Sequence, residues 1–223
     1  MKKKDGAITY YPISLNIRGR KCVVVGGGEV ALRKVKVLLE HGANVEVISP
    51  DLCPELAQLA ERGKISARNH AYELGGLAGA FLAVAATDDV EINRQVAEEA
   101  RSKAILVNVV DDADNSDFIV PSCLHRDGLT IAVSTSGQSP ALARKIRARL
   151  EKEITDHYGT LAHLIGEVRA EIKREGMKIA DDRWQEALDL DSLLELLKNG
   201  ERGKAKAILL SKLKENKNNF KAV

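Results

Sequence analysis

At 223 residues, with 44% hydrophobic and 30% charged residues, the chain is long enough to bury a core and is composed like a soluble globular protein. A net charge of +2 supplies no global field for nucleic acid, and no apolar run reaches the length of a membrane span. The cysteines, Cys22, Cys53 and Cys123, are an odd number without a C-x-x-C pair, which argues against a disulfide framework or structural zinc and for a reducing compartment.

In chain order, Lys2-Lys3-Lys4 reads as a solvated end, and the opening residues lack the apolar h-region of a signal peptide, so the expected location is the cytoplasm. Residues 9–17 read as an extended lead-in and Arg18-Gly19-Arg20 as a turn. The β-branched run Val23-Val24-Val25 predicts a strand that meets Gly26-Gly27-Gly28. Helical spacing of Val30, Leu32, Val35, Leu38 and Leu39 follows, with Gly42 as its stop. A second strand over 45–48, a short helix over 54–61 and a third strand over 64–68 come next. The apolar run 81–86 predicts a strand, Thr87-Asp88-Asp89 a helix cap, Ile92, Val96 and Ala100 the helix, and 104–110 another buried strand. Alternating strands and helices of this kind predict a Rossmann-like, doubly wound parallel sheet over 1–112.

The character changes at Asp111. Acidic residues lead to two strand-like runs, 118–124 and 129–135, joined by His125-Arg126-Asp127-Gly128 as a hairpin. Ser139-Pro140 then caps a basic helix whose apolar stripe is Leu142, Ile146 and Leu150. The expected division is a dinucleotide module over 1–112, a small α+β hairpin-plus-helix segment for dimerisation and substrate over 113–152, and an α-helical region over 153–223, with Trp184 in its core and a solvated Lys-rich end after Lys198. A hairpin is marginal alone, so the middle segment must pack on another surface, and a homodimer is expected.

Gly26, Gly28 and Ala31 form a G-x-G-x-x-A fingerprint in its required context, strand before and helix after. Gly26 permits the tight turn, Gly28 lets a pyrophosphate approach the backbone, and Ala31 lets the helix pack close. The amides and dipole of the new helix, at Glu29 and Val30, then face the phosphates. An acid after the second strand reads the ribose of NAD; Glu46 has the usual spacing but sits mid-strand, so Pro50-Asp51 at the strand end is preferred, with capping of the next helix as the alternative. No arginine adjoins Asp51, which favours NAD over NADP. Thr87 lies at a strand end bordering the cofactor crevice, where helix capping explains it equally well. Asn108 and Asp111 end the last strand of the module, where nicotinamide and substrate would meet. Asp111 reads equally as a base accepting a proton when a hydride leaves, or as part of a solvated linker; Asp112, Asp114 and Asp117 read as linker. Thr135 and Ser136, ahead of the basic helix, are candidates for binding substrate carboxylates, and no histidine or cysteine spacing defines a metal site.

Together these stretches resemble one family. From YPISLNIRGRKCVVVGGGEVALRK through VEVISPDL, AVAATDD, VNVVDD and FIVPSCL to LTIAVSTSGQSPALAR, residues 11–154 resemble the precorrin-2 dehydrogenases of siroheme (porphyrin) biosynthesis, including the N-terminal half of the siroheme synthases. The resemblance implies an oxidoreductase that uses NAD to convert precorrin-2 to sirohydrochlorin, a homodimer built through the segment after Asp111, and in some members a ferrochelatase activity that uses the same aspartate. It carries the catalytic role to Asp111 and the cofactor roles to Glu29, Val30, Pro50 and Asp51 with the glycines. Thr135 stands where some members have a functional serine, and the methyltransferase half of the fused enzymes does not appear before Val223, so a separate protein is expected to supply precorrin-2. The competing reading is a non-enzymatic NAD- or tetrapyrrole-binding sensor or carrier.

Overall fold

A computed structural model of the chain describes residues 9–215, so the Lys2-Lys3-Lys4 cluster and the lysines after 215 lie outside the described residues. The chain divides into two compact units, Met1–Val120 and Pro121–Val223.

The first unit runs β1 (Lys21–Val25), α1 (Glu29–Glu40), β2 (Asn44–Ile48), α2 (Pro54–Glu61), β3 (Ser66–Arg68), β4 (Leu82–Ala85), α3 (Val90–Ser102) and β5 (Leu106–Val109). The strands form one parallel sheet in the order β3-β2-β1-β4-β5, the Rossmann-like arrangement expected. Strand alternation feeds two cores. Cys22, Val24, Val45 and Val47 pack with α1 and with Leu56 of α2, while Val23, Val25, Ile48 and Ala83 pack with Val96, Ala97 and Ala100 of α3. Both faces are covered, which is why the central strands read as continuous apolar runs. Asp89 caps α3, its carboxylate accepting from the Glu91 and Ile92 amides at 2.8 and 3.2 Å.

The unit ends later than residue 112, because 111–118 folds back on the edge strand β5. The Asp117 amide donates to Val107 O at 2.8 Å, and Asp117 Oδ2 accepts from the Val107 amide at 3.0 Å. Ser116 Oγ accepts from the Val109 amide at 2.9 Å, and Asp112 accepts from the Asn115 amide and side chain. Asp117 is thus a structural acceptor that closes an open sheet edge, and Asp112 one that fixes the turn leading back to it, rather than parts of a solvated linker. Phe118 packs on the first core, so the hairpin strands start after it.

The second unit contains the hairpin β6 (Ser122–Arg126) and β7 (Leu129–Val133), then α4 (Pro140–Glu153), α5 (Asp156–Arg174), α6 (Asp181–Ala187), α7 (Leu190–Lys198) and α8 (Arg202–Lys214). The turn is the two residues Asp127-Gly128; His125 and Arg126 belong to β6. The hairpin and the helices expected as separate pieces form one unit. Arg126 donates to Ile154 O at 2.9 Å and to Glu151 O at 3.3 Å, and Gly159 lies so close to the Arg126 and Asp127 carbonyls that a Cβ there would overlap them. Leu164, Val168, Leu193, Leu209 and Leu213 form the helical core, with Trp184 packed against it and Arg169 over its ring. The lysines of α8 are not merely solvated: Lys206 pairs with Glu171 on α5 and Lys214 with Glu175 at its C-cap. No described helix is long and apolar enough to cross a membrane.

Candidate functional site

In a parallel sheet every strand ends at the same edge, so the loops after β1, β2, β4 and β5 come together although they are spread from residue 26 to residue 111. The Gly26 amide donates to Ile48 O at 2.9 Å, the Ala86 amide to Val25 O at 2.8 Å, and the Val110 amide to Ala85 O at 2.9 Å. This lacing gathers Gly26, Gly28, Glu29, Val30, Pro50, Asp51, Thr87, Asn108 and Asp111 at one end of the first unit.

The three glycines do different work. Gly26 has φ +121°, and a Cβ on it would sit 2.3 Å from Ala86 O. Gly27, which the fingerprint leaves unspecified, is the most confined: its Cβ would sit 1.8 Å from Asp51 O and 2.7 Å from Ser49 Oγ. It seats the β1 loop against the β2 loop, where the Cys53 amide donates to Gly27 O at 2.8 Å and Ser49 Oγ to Asp51 O at 2.7 Å. Gly28 is the opposite case. It is exposed, and a Cβ there would meet nothing within 4 Å. It is also the N-cap of α1, and no side chain caps the helix, so the amides of the first turn are presented without a side-chain acceptor. A bare helix start beside a glycine that protein packing does not require fits a dinucleotide pyrophosphate.

Asp51 is exposed at the end of β2, and α2 has Cys53 as its N-cap with no side-chain capping bond, so Asp51 does not cap that helix. Glu46 is committed elsewhere, paired with Lys21 at 3.4 Å and Arg68 at 2.8 Å. The tertiary structure therefore sets an arginine, Arg68, on the strand next to β2, a neighbour invisible in local sequence, but its guanidinium is engaged by Glu46. Thr87 is turned into its own loop: Oγ1 lies 2.9 Å from Asn93 Oδ1 and accepts from the Asp89 amide at 3.2 Å.

At the far side of the edge, Asn108 is only 7% exposed, and both ends of its amide are used inside the unit. Nδ2 donates to Phe118 O at 3.0 Å, and Oδ1 accepts from Lys34 Nζ at 3.2 Å. Asp111 is exposed and holds φ +59°, a left-handed conformation unusual for a residue with a side chain. In the sequence Gly27 stands out only as one more glycine in the run, and nothing local ties the α1 lysine Lys34 to β5.

In the second unit, Thr135 Oγ1 accepts from the Ser139 amide at 2.9 Å, and Ser139 Oγ accepts from the Leu142 amide as the cap of α4. Ser136 is exposed at φ +52°. Of the expected stripe on α4, Leu142 and Ile146 remain 50% and 39% exposed, whereas Ala143 is buried. Among the described residues, no group of three or more His, Cys, Asp or Glu side chains is arranged to hold a metal ion.

Residues 13–122 match a family model described as NAD(P)-binding, and residues 126–153 match the central region of sirohaem biosynthesis proteins. The siroheme synthase of Chromobacterium violaceum is 45% identical over 200 residues, covering 89% of this chain and 42% of that protein. That of Citrobacter koseri is 39% identical over 201 residues, covering 89% of this chain and 43% of that protein. The chain thus spans less than half the length of these relatives. Among solved structures, SirC, a precorrin-2 dehydrogenase, superposes with a TM-score of 0.67 at 26% identity, covering 92% of this chain and all of that one. With its dinucleotide edge in the first unit and the sirohaem-type segment in the second, the chain belongs to the precorrin-2 dehydrogenase and siroheme synthase family.

Proposed function

We propose that this chain oxidises precorrin-2 to sirohydrochlorin with NAD in siroheme biosynthesis. The observation that carries the reading is the sheet edge itself, where an uncapped helix start at Gly28 and a carboxylate at Asp111 stand at the ends of strands joined in one sheet. NAD supplies a hydride acceptor when bound. Gly26 shapes the turn, Gly28 and the amides of Glu29 and Val30 carry the pyrophosphate, and Pro50 and Asp51 border the adenosine ribose. Asp111 takes the proton released as the hydride leaves the macrocycle. Thr87 and Asn108 hold the edge in shape, since their side chains are used internally. Thr135 and Ser136, with the basic α4, serve the substrate carboxylates. The exposed Leu142 and Ile146 support a homodimer formed through the second unit, and the unpaired cysteine set supports a cytoplasmic location.

Anaerobic incubation of the purified protein with precorrin-2 and NAD⁺ should generate NADH, read at its absorbance band. Asp111→Ala should lose NADH formation by at least about 100-fold, within the range assigned to general acid–base catalysis, while still binding NAD. Normal turnover by Asp111→Ala would refute the base assignment. Binding of NAD⁺ and tetrapyrrole without NADH formation by the wild type would instead identify a sensor or carrier. A parallel arm with sirohydrochlorin and Fe²⁺ tests metal insertion.

A further inference from the structure

Lys34 lies in the second turn of α1, half-buried, and reaches across to β5. Its Nζ donates to Asn108 Oδ1 at 3.2 Å, and the other end of that amide donates to Phe118 O at 3.0 Å. One ammonium thus ties the cofactor helix to the last strand and to the segment that follows Asp111. Its charge also couples to Asp111. Burial and the adjacent Arg33 push the Lys34 ammonium below the ordinary lysine range, and Asp111 acts in the opposite sense. A lysine used only for packing keeps its stem on apolar surface and its head in water. Here the head is turned inward, on to a buried amide three residues before the carboxylate.

We propose that Lys34 is a positioning residue for Asp111, holding the end of β5 through Asn108 and offering the carboxylate a fixed cationic neighbour. The proposal rests on the reading of Asp111 as the base. The strained φ of Asp111 fits it: a left-handed aspartate persists where its surroundings over-determine it, and Lys34–Asn108–Phe118 is such a frame.

The test is a double-mutant cycle under single-turnover conditions with precorrin-2 and NAD⁺. Lys34→Met should slow hydride transfer roughly 10-fold, equivalent to about 1.4 kcal/mol of barrier. Its NAD affinity should stay within about two-fold of wild type, since a tenfold loss would correspond to about 1.4 kcal/mol of binding. Lys34→Arg should recover most of the rate. In the Asp111→Ala background, Lys34→Met should cost no more than about two-fold of the residual rate, because residues that act together are non-additive. A merely structural lysine would cost the same factor in both backgrounds and lower the melting temperature with it, and that result would overturn the proposal. So would a wild-type rate in folded Lys34→Met. If Asp111→Ala turns over normally, the base reading has failed, and this proposal fails with it. If only the Lys34 variants behave as wild type, the base reading stands and this proposal alone falls.

Discussion

Alanine substitutions at the three consecutive glycines should separate what the fold needs from what the ligand needs. At Gly28 the backbone is extended, with φ −86° and ψ −173°, and a Cβ has open space around it. Gly28→Ala should therefore fold normally; replacing glycine by alanine at an N-cap costs no more than about 1 kcal/mol. For a unit of this size that is a melting shift of about 4 °C. The methyl group would stand where a pyrophosphate approaches the α1 amides. Weakening two charge-assisted hydrogen bonds, each worth about 1.5–3 kcal/mol, should lower NAD affinity by about 3 kcal/mol, or roughly 100-fold. At Gly27 the order reverses. A Cβ 1.8 Å from Asp51 O cannot be accommodated without moving the β2 loop backbone, so Gly27→Ala should lose several kcal/mol, on the order of 3, by overpacking. Gly26→Ala carries both a 2.3 Å overlap with Ala86 O and a φ of +121°. Thermal unfolding by circular dichroism and NAD titration by calorimetry read the two effects separately. A Gly28→Ala protein that binds NAD like wild type, or that is as unstable as Gly27→Ala, would refute this division of labour.

Two further predictions concern stability and reactivity. Glu99, 5% exposed on α3, accepts from the Tyr72 hydroxyl, from the Gly75 and Leu77 amides at 2.9 and 3.3 Å, and from Lys103 at 2.7 Å. Glu99→Ala strands the buried Tyr72 and Leu77 donors and should cost about 3 kcal/mol in urea unfolding. Burial pushes the Glu99 carboxyl up, but the hydrogen bonds from Lys103, Tyr72 and the two amides outweigh it, leaving it below its ordinary range. Its folded-state value is thus under the unfolded one, so its contribution is whole above about pH 4.3 and is lost on acidification; the gap between wild type and variant should narrow from pH 7 to pH 3. A gap that is unchanged or widens counts against this account. Burial pushes the Cys22 thiol up to about 11, so at pH 8 roughly one molecule in a thousand carries its thiolate, and thiol reagents should label Cys22 only as fast as the first unit unfolds. Prompt labelling of native Cys22 by mass-resolved alkylation would contradict that.

Much of the architecture was legible because its signals are local. The run Val23-Val24-Val25 before Gly26, the cap at Asp89, the Ser139-Pro140 start and the 3.6-residue spacing of α1 are each set by neighbours within one or two turns. Alternating such elements implies a parallel sheet, and a parallel sheet implies a single edge for Gly28, Asp51 and Asp111. What depended on residues distant in sequence was not legible. Asp112 and Asp117 look like a solvated acidic string until β5 is seen to be an edge strand: Asp117 accepts from a β5 amide, and Asp112 holds the turn that brings it there. The hairpin looks extendable back to Phe118 until that side chain is found packed against the core of the first unit. Arg68 reaches Glu46 only because β3 pairs with β2, and Lys34 reaches Asn108 only because α1 lies over a sheet whose last strand arrives 74 residues later. By itself, then, the sequence determined the fingerprint, the fold class and the carboxylate that follows the last strand of the sheet, because propensity, capping and hydrophobic period act over a few residues. The tertiary structure alone decided which glycine is confined by packing and which has open space around it, and that Lys34 meets Asn108 on the strand before Asp111, because those are questions of space and partners across strands.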